Sequence, residues 1–159
     1  HPHCRRQRQM CIRDSLLIQS ADNKIITEDN LEVVTKKVPS KDEIQNALFA
    51  WKVCKYVKSN AIVFAVSEQT LGIGAGQMSR IDSGKIAASK AKEFGFSLNG
   101  ASMASDAFFP FRDNVDNAHE LGIKCIIQPG GSIKDEEVIQ AANEADMSML
   151  FTKVRHFRH

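Results

Sequence analysis

Ala61-Ile62-Val63-Phe64-Ala65-Val66-Ser67-Glu68-Gln69-Thr70-Leu71-Gly72-Ile73-Gly74-Ala75 holds a dense β-forming run, a polar break and a second β-forming run. Two such runs this close together read as adjacent strands of a hairpin. Glycines at 72, 74 and 76 alternate along the second strand. A strand position without a side chain usually marks a bulge, or a place where a ligand or another backbone comes close. Outward from this hairpin, helical and extended patterns alternate, which predicts an α/β layer structure.

Upstream, Ser40-Lys41-Asp42-Glu43 has the S-x-x-E form of a capping box, in which hydroxyl and carboxylate satisfy the free amides of a helix start. Ile44, Ala47, Leu48, Trp51 and Cys54 follow at the three-and-four spacing of one apolar stripe, which predicts a helix carried to about residue 58. Residues 16–20 and 31–37 are short extended candidates on either side of a polar segment. Downstream, residues 79–94 read as a helix whose Gly84, Ala87, Ala88, Ala91 and Phe94 make a close-packing face, stopped by Gly95. A strand over 101–105, a helix over 113–121 and a strand over 124–128 come next. Pro129-Gly130-Gly131 turns the chain, and Ser132-Ile133-Lys134-Asp135 is a second candidate cap. It opens a helix with Val138, Ala141, Ala142 and Ala145 facing inward, before a last strand over 147–152.

Ser105-Asp106-Ala107-Phe108-Phe109-Pro110-Phe111-Arg112-Asp113-Asn114 puts charges of opposite sign beside three phenylalanines where no regular element fits. Leaving such rings in water costs roughly 1.5 to 3 kcal/mol each, so this loop must line a pocket or plug a core; Arg112 and Asp113 point to a pocket. In an α/β layer the loops at strand ends form the crevice, because helix N-termini and free amides converge there. Ser59-Asn60, residues 76–80, 106–114 and 129–133 are the junctions expected to collect in it.

The chain of 159 residues is 43% apolar and 25% charged, the composition of a globular domain. No apolar run approaches the roughly 20 residues of a spanning helix, and a net charge of +2 does not argue for nucleic acid. Neither a membrane nor a nucleic acid is expected as partner; the rival is a basic binder using the clusters at both ends. Cys4, Cys11, Cys54 and Cys125 contain no C-x-x-C pair and no His spaced to complete a zinc site. Cys54 and Cys125 are expected to be reduced, buried and cytosolic. Residues 1–15, HPHCRRQRQMCIRDS, show no period and read as a segment foreign to the fold.

Gly72-Ile73-Gly74-Ala75-Gly76-Gln77-Met78-Ser79-Arg80 lacks the spacing of a dinucleotide loop or a P-loop. It reads better as a strand end presenting Gln77, Ser79 and Arg80 at a helix start, where an anion is welcome. No G-x-S-x-G is present for a hydrolytic triad, and His119 reads as a solvated surface residue. Arg155-His156-Phe157-Arg158-His159 follows a buried-looking strand directly, so this end is expected to dock on the fold.

WKVCKYVKSNAIV from Trp51, GIGAGQMSR from Gly72, SDAFFPFRDNVD from Ser105, QPGGSI from Gln128 and the closing RHFRH resemble one family. It is the bifunctional purine biosynthesis family, which joins a phosphoribosylaminoimidazolecarboxamide (AICAR) formyltransferase to an inosine monophosphate cyclohydrolase. The likeness is to the C-terminal part of the formyltransferase, within residues 16–159 and best over 36–159. It implies a cytidine-deaminase-like layered sheet with flanking helices, a cytosolic homodimer with sites between subunits, and formyl transfer from 10-formyltetrahydrofolate to the 5-amino group of AICAR. A potassium ion with Asp106 as contributor, and no zinc, are implied as well.

Carried over by position, Asn60 resembles the asparagine that holds the carboxamide ribotide and its reacting amine, Phe108 its aromatic contact, and Arg155 its phosphate ligand. Arg80, Ile81, Asp113, Ser132 and Ile133 resemble folate-side positions, with Pro110, Phe111 and Asn114 adjoining the pterin. The family's Lys-His pair, whose histidine resembles a general base, has no counterpart, for the chain contains no Lys-His dipeptide. The expectation is therefore a fragment that carries ligand-binding residues and is inactive alone, without the cyclohydrolase domain. The alternative is a stand-alone nucleotide or folate-binding module.

Overall fold

A computed structural model describes residues 21–158. The expectations for residues 1–15 and 16–20, and for Cys4, Cys11 and His159, lie outside the described residues. After a 3-10 turn at Glu28–Asn30 come β1 (Glu32–Val33), α1 (Lys41–Cys54), β2 (Ile62–Val66), β3 (Gln69–Gly74), α2 (Arg80–Glu93), β4 (Ser102–Ser105), α3 (Asp113–Glu120), β5 (Cys125–Gln128), α4 (Asp135–Glu144) and β6 (Ser148–Phe151). The strands form one mixed sheet in the order β1-β6-β5-β4-β2-β3. β4, β5 and β6 are mutually parallel, whereas β1 and β2 run antiparallel to β6 and β4.

This is the expected α/β layer structure, and its two faces follow the period of two along each strand. Val63, Ala65, Ala104, Cys125, Ile127 and Leu150 face α1, with Ala47, Ala50, Trp51 and Cys54 packed over them. Ile62, Phe64, Met103, Ile126, Met149 and Phe151 face the other way, against apolar residues of α2, α3 and α4. Strands covered on both sides need apolar residues at every position, which is why β2 reads as an unbroken run.

The capping box forms: Ser40 N–H donates to the Glu43 carboxylate at 2.7 Å, and Glu43 N–H to Ser40 Oγ at 3.2 Å. α1 ends at Cys54 and not near 58, because Tyr56 and Val57 bond back to Val53 and Cys54 in a tighter turn that redirects the chain into β2. The hairpin is present, with Ser67 and Glu68 both at positive φ, 49° and 59°, the turn that matches strand twist. Asn46 of α1 holds it by accepting the Ser67 N–H at 2.7 Å.

Glycines 72 and 74 admit another backbone, not a ligand. A Cβ on Gly72 would lie 2.1 Å from the Ala87 carbonyl oxygen, and one on Gly74 would lie 1.8 Å from that of Ser83. α2 therefore lies directly on β3, with Ser83, Gly84, Ala87 and Ala91 buried. Phe94 departs from the predicted face: it is 69% exposed, since it is the C-cap residue, one position past the end of α2. Of the extended candidate at 31–37 only Glu32–Val33 is strand. Thr35 extends the contact when its Oγ1 accepts the Met149 N–H at 2.9 Å.

The second cap also differs. α4 begins at Asp135 behind Lys134, with no side-chain cap. Gly130 and Gly131 hold positive φ, 70° and 91°, and prolong the loop past Ser132. Asp135 turns back to accept the Gly131 N–H at 2.6 Å. Cys54 and Cys125 are buried free thiols as expected; burial raises both pKa values, that of Cys125 to about 12. No helix among the described residues is long and apolar enough to cross a membrane.

Gly74→Ala should destabilise the protein by about 3 kcal/mol or more, because a methyl group there meets rigid backbone, and overpacking already costs 1 to 3 kcal/mol where side chains can yield. Urea denaturation checks this; an unchanged midpoint would mean that α2 does not approach β3 so closely.

Candidate active site

The register decides which junctions meet. Ile62 lies opposite both Ser105 and Gly74, so the start of β2 and the ends of β3 and β4 share one edge of the sheet. The parallel strands β5 and β6 end on that same edge. The junction before β2 and those after β3, β4, β5 and β6 are thereby gathered along it, and the expected ligand-binding residues lie in them or in the first turn of the helix that follows.

Asp106 is the node of this edge. Its side chain is fully buried, and Oδ1 accepts from the Arg80 guanidinium at 3.1 Å. Its N–H donates to the Ala61 carbonyl at 3.3 Å, and its own carbonyl accepts the His156 N–H at 3.0 Å. One residue thus ties the start of β2, the start of α2 and the segment after β6 to the end of β4. Asp106 Oδ2 and Arg80 Nε are buried without a hydrogen-bond partner.

Around that node lie Asn60, Arg80, Phe108 and Arg155. Asn60 is half-buried; its Nδ2 donates to the Gln77 backbone carbonyl at 3.0 Å, and its own backbone carbonyl accepts from Ser83 Oγ at 2.8 Å. The half-buried Phe108 ring lies under the Arg155 guanidinium, 4.4 Å from carbon to centroid, a cation–π arrangement. Among the described residues that guanidinium has no acidic partner. A depression of about 330 Å³ opens beside it, with Asp22, Lys24, Lys153, Arg155 and Phe157 in its wall.

The remaining positions sit farther along the edge. Pro110, Phe111 and Asp113 are exposed and Ile133 fully so, Ile81 and Ser132 are half-buried, and Asn114 is buried. Asp113 accepts from Asn114 N–H and Nδ2, at 2.8 and 3.1 Å. Lys134 spans the junctions after β4 and β5, its Nζ 5.6 Å from the Phe111 ring centroid.

The aromatic loop does both things expected of it: Phe109 is completely buried and plugs the core, whereas Phe108 and Phe111 remain reachable. Arg112 corrects the reading that it points to the pocket. It binds Asp116 one turn on, at 2.9 and 3.0 Å, and reaches Glu144 of α4 at 3.0 Å. Hydrogen bonding to Asp116 first, and to Glu144 second, raises its pKa, and the Arg112 hydrogen bond lowers that of Asp116. Arginine followed by aspartate four residues later is an ordinary helix-surface pair.

Sequence reasoning missed two supports. Fully buried Gln128 accepts the Phe109 N–H at 2.8 Å through Oε1; an amide closing the apolar strand Cys-Ile-Ile-Gln was the available signal. The other is the contact between His156 and Asp22, which nothing local in the sequence announces.

A layered α/β domain with its polar residues collected at one sheet edge is the class of protein that fold and site define. The family model described as the AICARFT/IMPCHase bienzyme matches residues 2–90, more than half of the chain, and the chain belongs to that family. Asn60, Arg80 and Ile81 fall inside the matched stretch, and the positions from 106 onward lie beyond it. The structure is also similar to a diaminohydroxyphosphoribosylaminopyrimidine deaminase/5-amino-6-(5-phosphoribosylamino)uracil reductase from Thermotoga maritima, at 15% identity and TM-score 0.48, over 69% of this chain and 35% of that one. A dCMP deaminase from cyanophage S-TIM5 is similar at 14% identity and TM-score 0.47, over 69% of this chain and 98% of that one. This chain thus spans about a third of the first of these proteins.

Arg80→Met should cost about 3 kcal/mol of stability, because it strands a buried carboxylate without its cation. Arg80→Met combined with Asp106→Asn should recover part of that loss in urea denaturation. Equal stability of the single variant and the parent protein would show that the pair does not hold the edge together.

Proposed function

We propose that this sheet edge is half of a cleft for a ribotide phosphate and a pterin, serving formyl transfer from 10-formyltetrahydrofolate to the 5-amino group of AICAR. The observation that carries this reading is Arg155: a guanidinium laid on Phe108, beside a depression and with no acidic partner among the described residues. Its fork can bond two phosphate oxygens at once. Phe108 supplies an aromatic contact for the nucleotide. Asn60, whose side-chain amide donates to the Gln77 carbonyl, would orient the reacting amine.

In such a transfer the amine nitrogen attacks the formyl carbon, and the bond from that carbon to N10 of the folate breaks as the amine loses its proton. This chain contributes binding and orientation through Asn60, Phe108 and Arg155; no Lys-His dipeptide occurs in it to take that proton. Arg80, Ile81, Pro110, Phe111, Asp113, Asn114, Ser132 and Ile133 form the folate side, where the Asp113 carboxylate suits the N–H groups of a pterin. The orphaned, buried Oδ2 of Asp106 fits one oxygen ligand of a potassium ion, which would neutralise charge at the node. Exposed Met78, Phe111 and Ile133 along the edge suit cover by a second subunit, in keeping with a cytosolic homodimer.

Calorimetric titration of the chain with AICAR and with a folate analogue tests this reading. Arg155→Ala should weaken AICAR binding roughly tenfold or more, the cost of a lost charge-assisted hydrogen bond. Asn60→Ala should slow turnover of the complete enzyme about 100-fold, with a smaller effect on affinity. AICAR affinity that survives Arg155→Ala would contradict the phosphate role, and ligand binding by a full-length protein that shows no turnover would favour a binding module.

A further inference from the structure

The segment after β6 crosses the sheet edge as an extended strap in which Arg155 and Phe157 are exposed and His156 between them is buried. Successive side chains of an extended chain point to opposite sides, so whatever holds His156 inward decides that Arg155 faces out. His156 is 2% exposed, and its backbone N–H is bound by Asp106. Its imidazole lies against Trp51 of α1, ring centroids 4.6 Å apart and 45° between planes. Its Nδ1 meets the carboxylate of Asp22, far away in sequence. A carboxylate only accepts, so Nδ1 carries the hydrogen of that bond.

Asp22 is held in turn. Lys55 Nζ lies 3.8 Å from its Oδ1 and donates to the Lys24 carbonyl at 2.8 Å. On the far side of His156 the strap is fixed again, where Ser59 N–H donates to the Arg158 carbonyl at 2.9 Å and Arg158 N–H to Ser59 Oγ at 3.1 Å. The segment before β1, the end of α1 and the strap are therefore tied together at one ring. An apolar side chain would fill the same space, yet it would not fix a direction; the bond to Asp22 does.

We propose that Asp22 and His156 form a latch that positions Arg155 over Phe108 for a phosphate ester, acting through the strap. This rests on the reading of Arg155 given above. A latched strap presents the guanidinium already placed, so less conformational freedom is lost when phosphate arrives.

The test uses the full chain, with ribose 5-phosphate as the phosphate-ester probe and a folate analogue as the second ligand. Trp51, the sole tryptophan, reports the latch by fluorescence. Asp22→Ala and His156→Leu should each weaken ribose 5-phosphate binding about tenfold, leave folate-analogue affinity unchanged and shift Trp51 emission. His156→Asn, which keeps a donor at the Nδ1 position, should stay within about threefold of the parent protein. Parent-like phosphate affinity in Asp22→Ala and His156→Leu would overturn the latch, as would equal losses for both ligands, the sign of general loosening. Asp22→Ala decides alone if His156→Leu does not fold. Arg155→Ala separates the two ideas: if it binds the probe normally, or the parent protein does not bind it, the phosphate reading falls and the latch with it. If Arg155→Ala loses affinity while the latch variants keep it, only the latch falls.

Discussion

A carboxylate with no access to water sits at the end of β4, and the site depends on it. A charge in that position is tolerated only with a cation beside it and hydrogen bonds around it. Arg80 provides the cation from the first residue of α2, and the backbone of Asp106 engages Ala61 and His156. Electrostatics and backbone bonding thus draw separate junctions to one point. An apolar residue at 106 could fill the space, yet it would leave Arg80 without a counter-ion and α2 free to slide.

The approach of α2 to β3 makes this pairing reachable. With no side chain at Gly72 or Gly74, the helix settles until its carbonyls reach the strand. That depth brings Arg80 within hydrogen-bond distance of Asp106. The same contact fixes Ser83, whose hydroxyl holds the carbonyl of Asn60. Packing between small residues and the polar geometry at the edge are therefore one arrangement, in which the loss of van der Waals fit would be felt as misplaced polar groups.

Much of the fold was legible in the residues because its signals are local. The S-x-x-E cap, the apolar stripe of α1, the β-branched run of β2 and the turn glycines each act within a few residues, and each sits where expected. Failures came where a neighbour in space outweighed a neighbour in sequence. Ser132 lost its role as a cap because two glycines at positive φ carried the loop onward. Phe94 kept the spacing of the packed face but passed the end of the helix. Arg112 found Asp116 and Glu144 in preference to the cleft.

The sequence by itself determined the alternation of elements, the two-sided apolar character of the strands and the set of unusual residues at the junctions, because periodicity and capping are properties of short stretches. Only the tertiary structure decided which junctions share an edge. Strand order and direction are long-range choices, settled by how both faces of the sheet are covered. The same holds for the placement of Arg155: its orientation depends on a histidine bonded to an aspartate far upstream, and no local pattern encodes a contact between segments so distant along the chain.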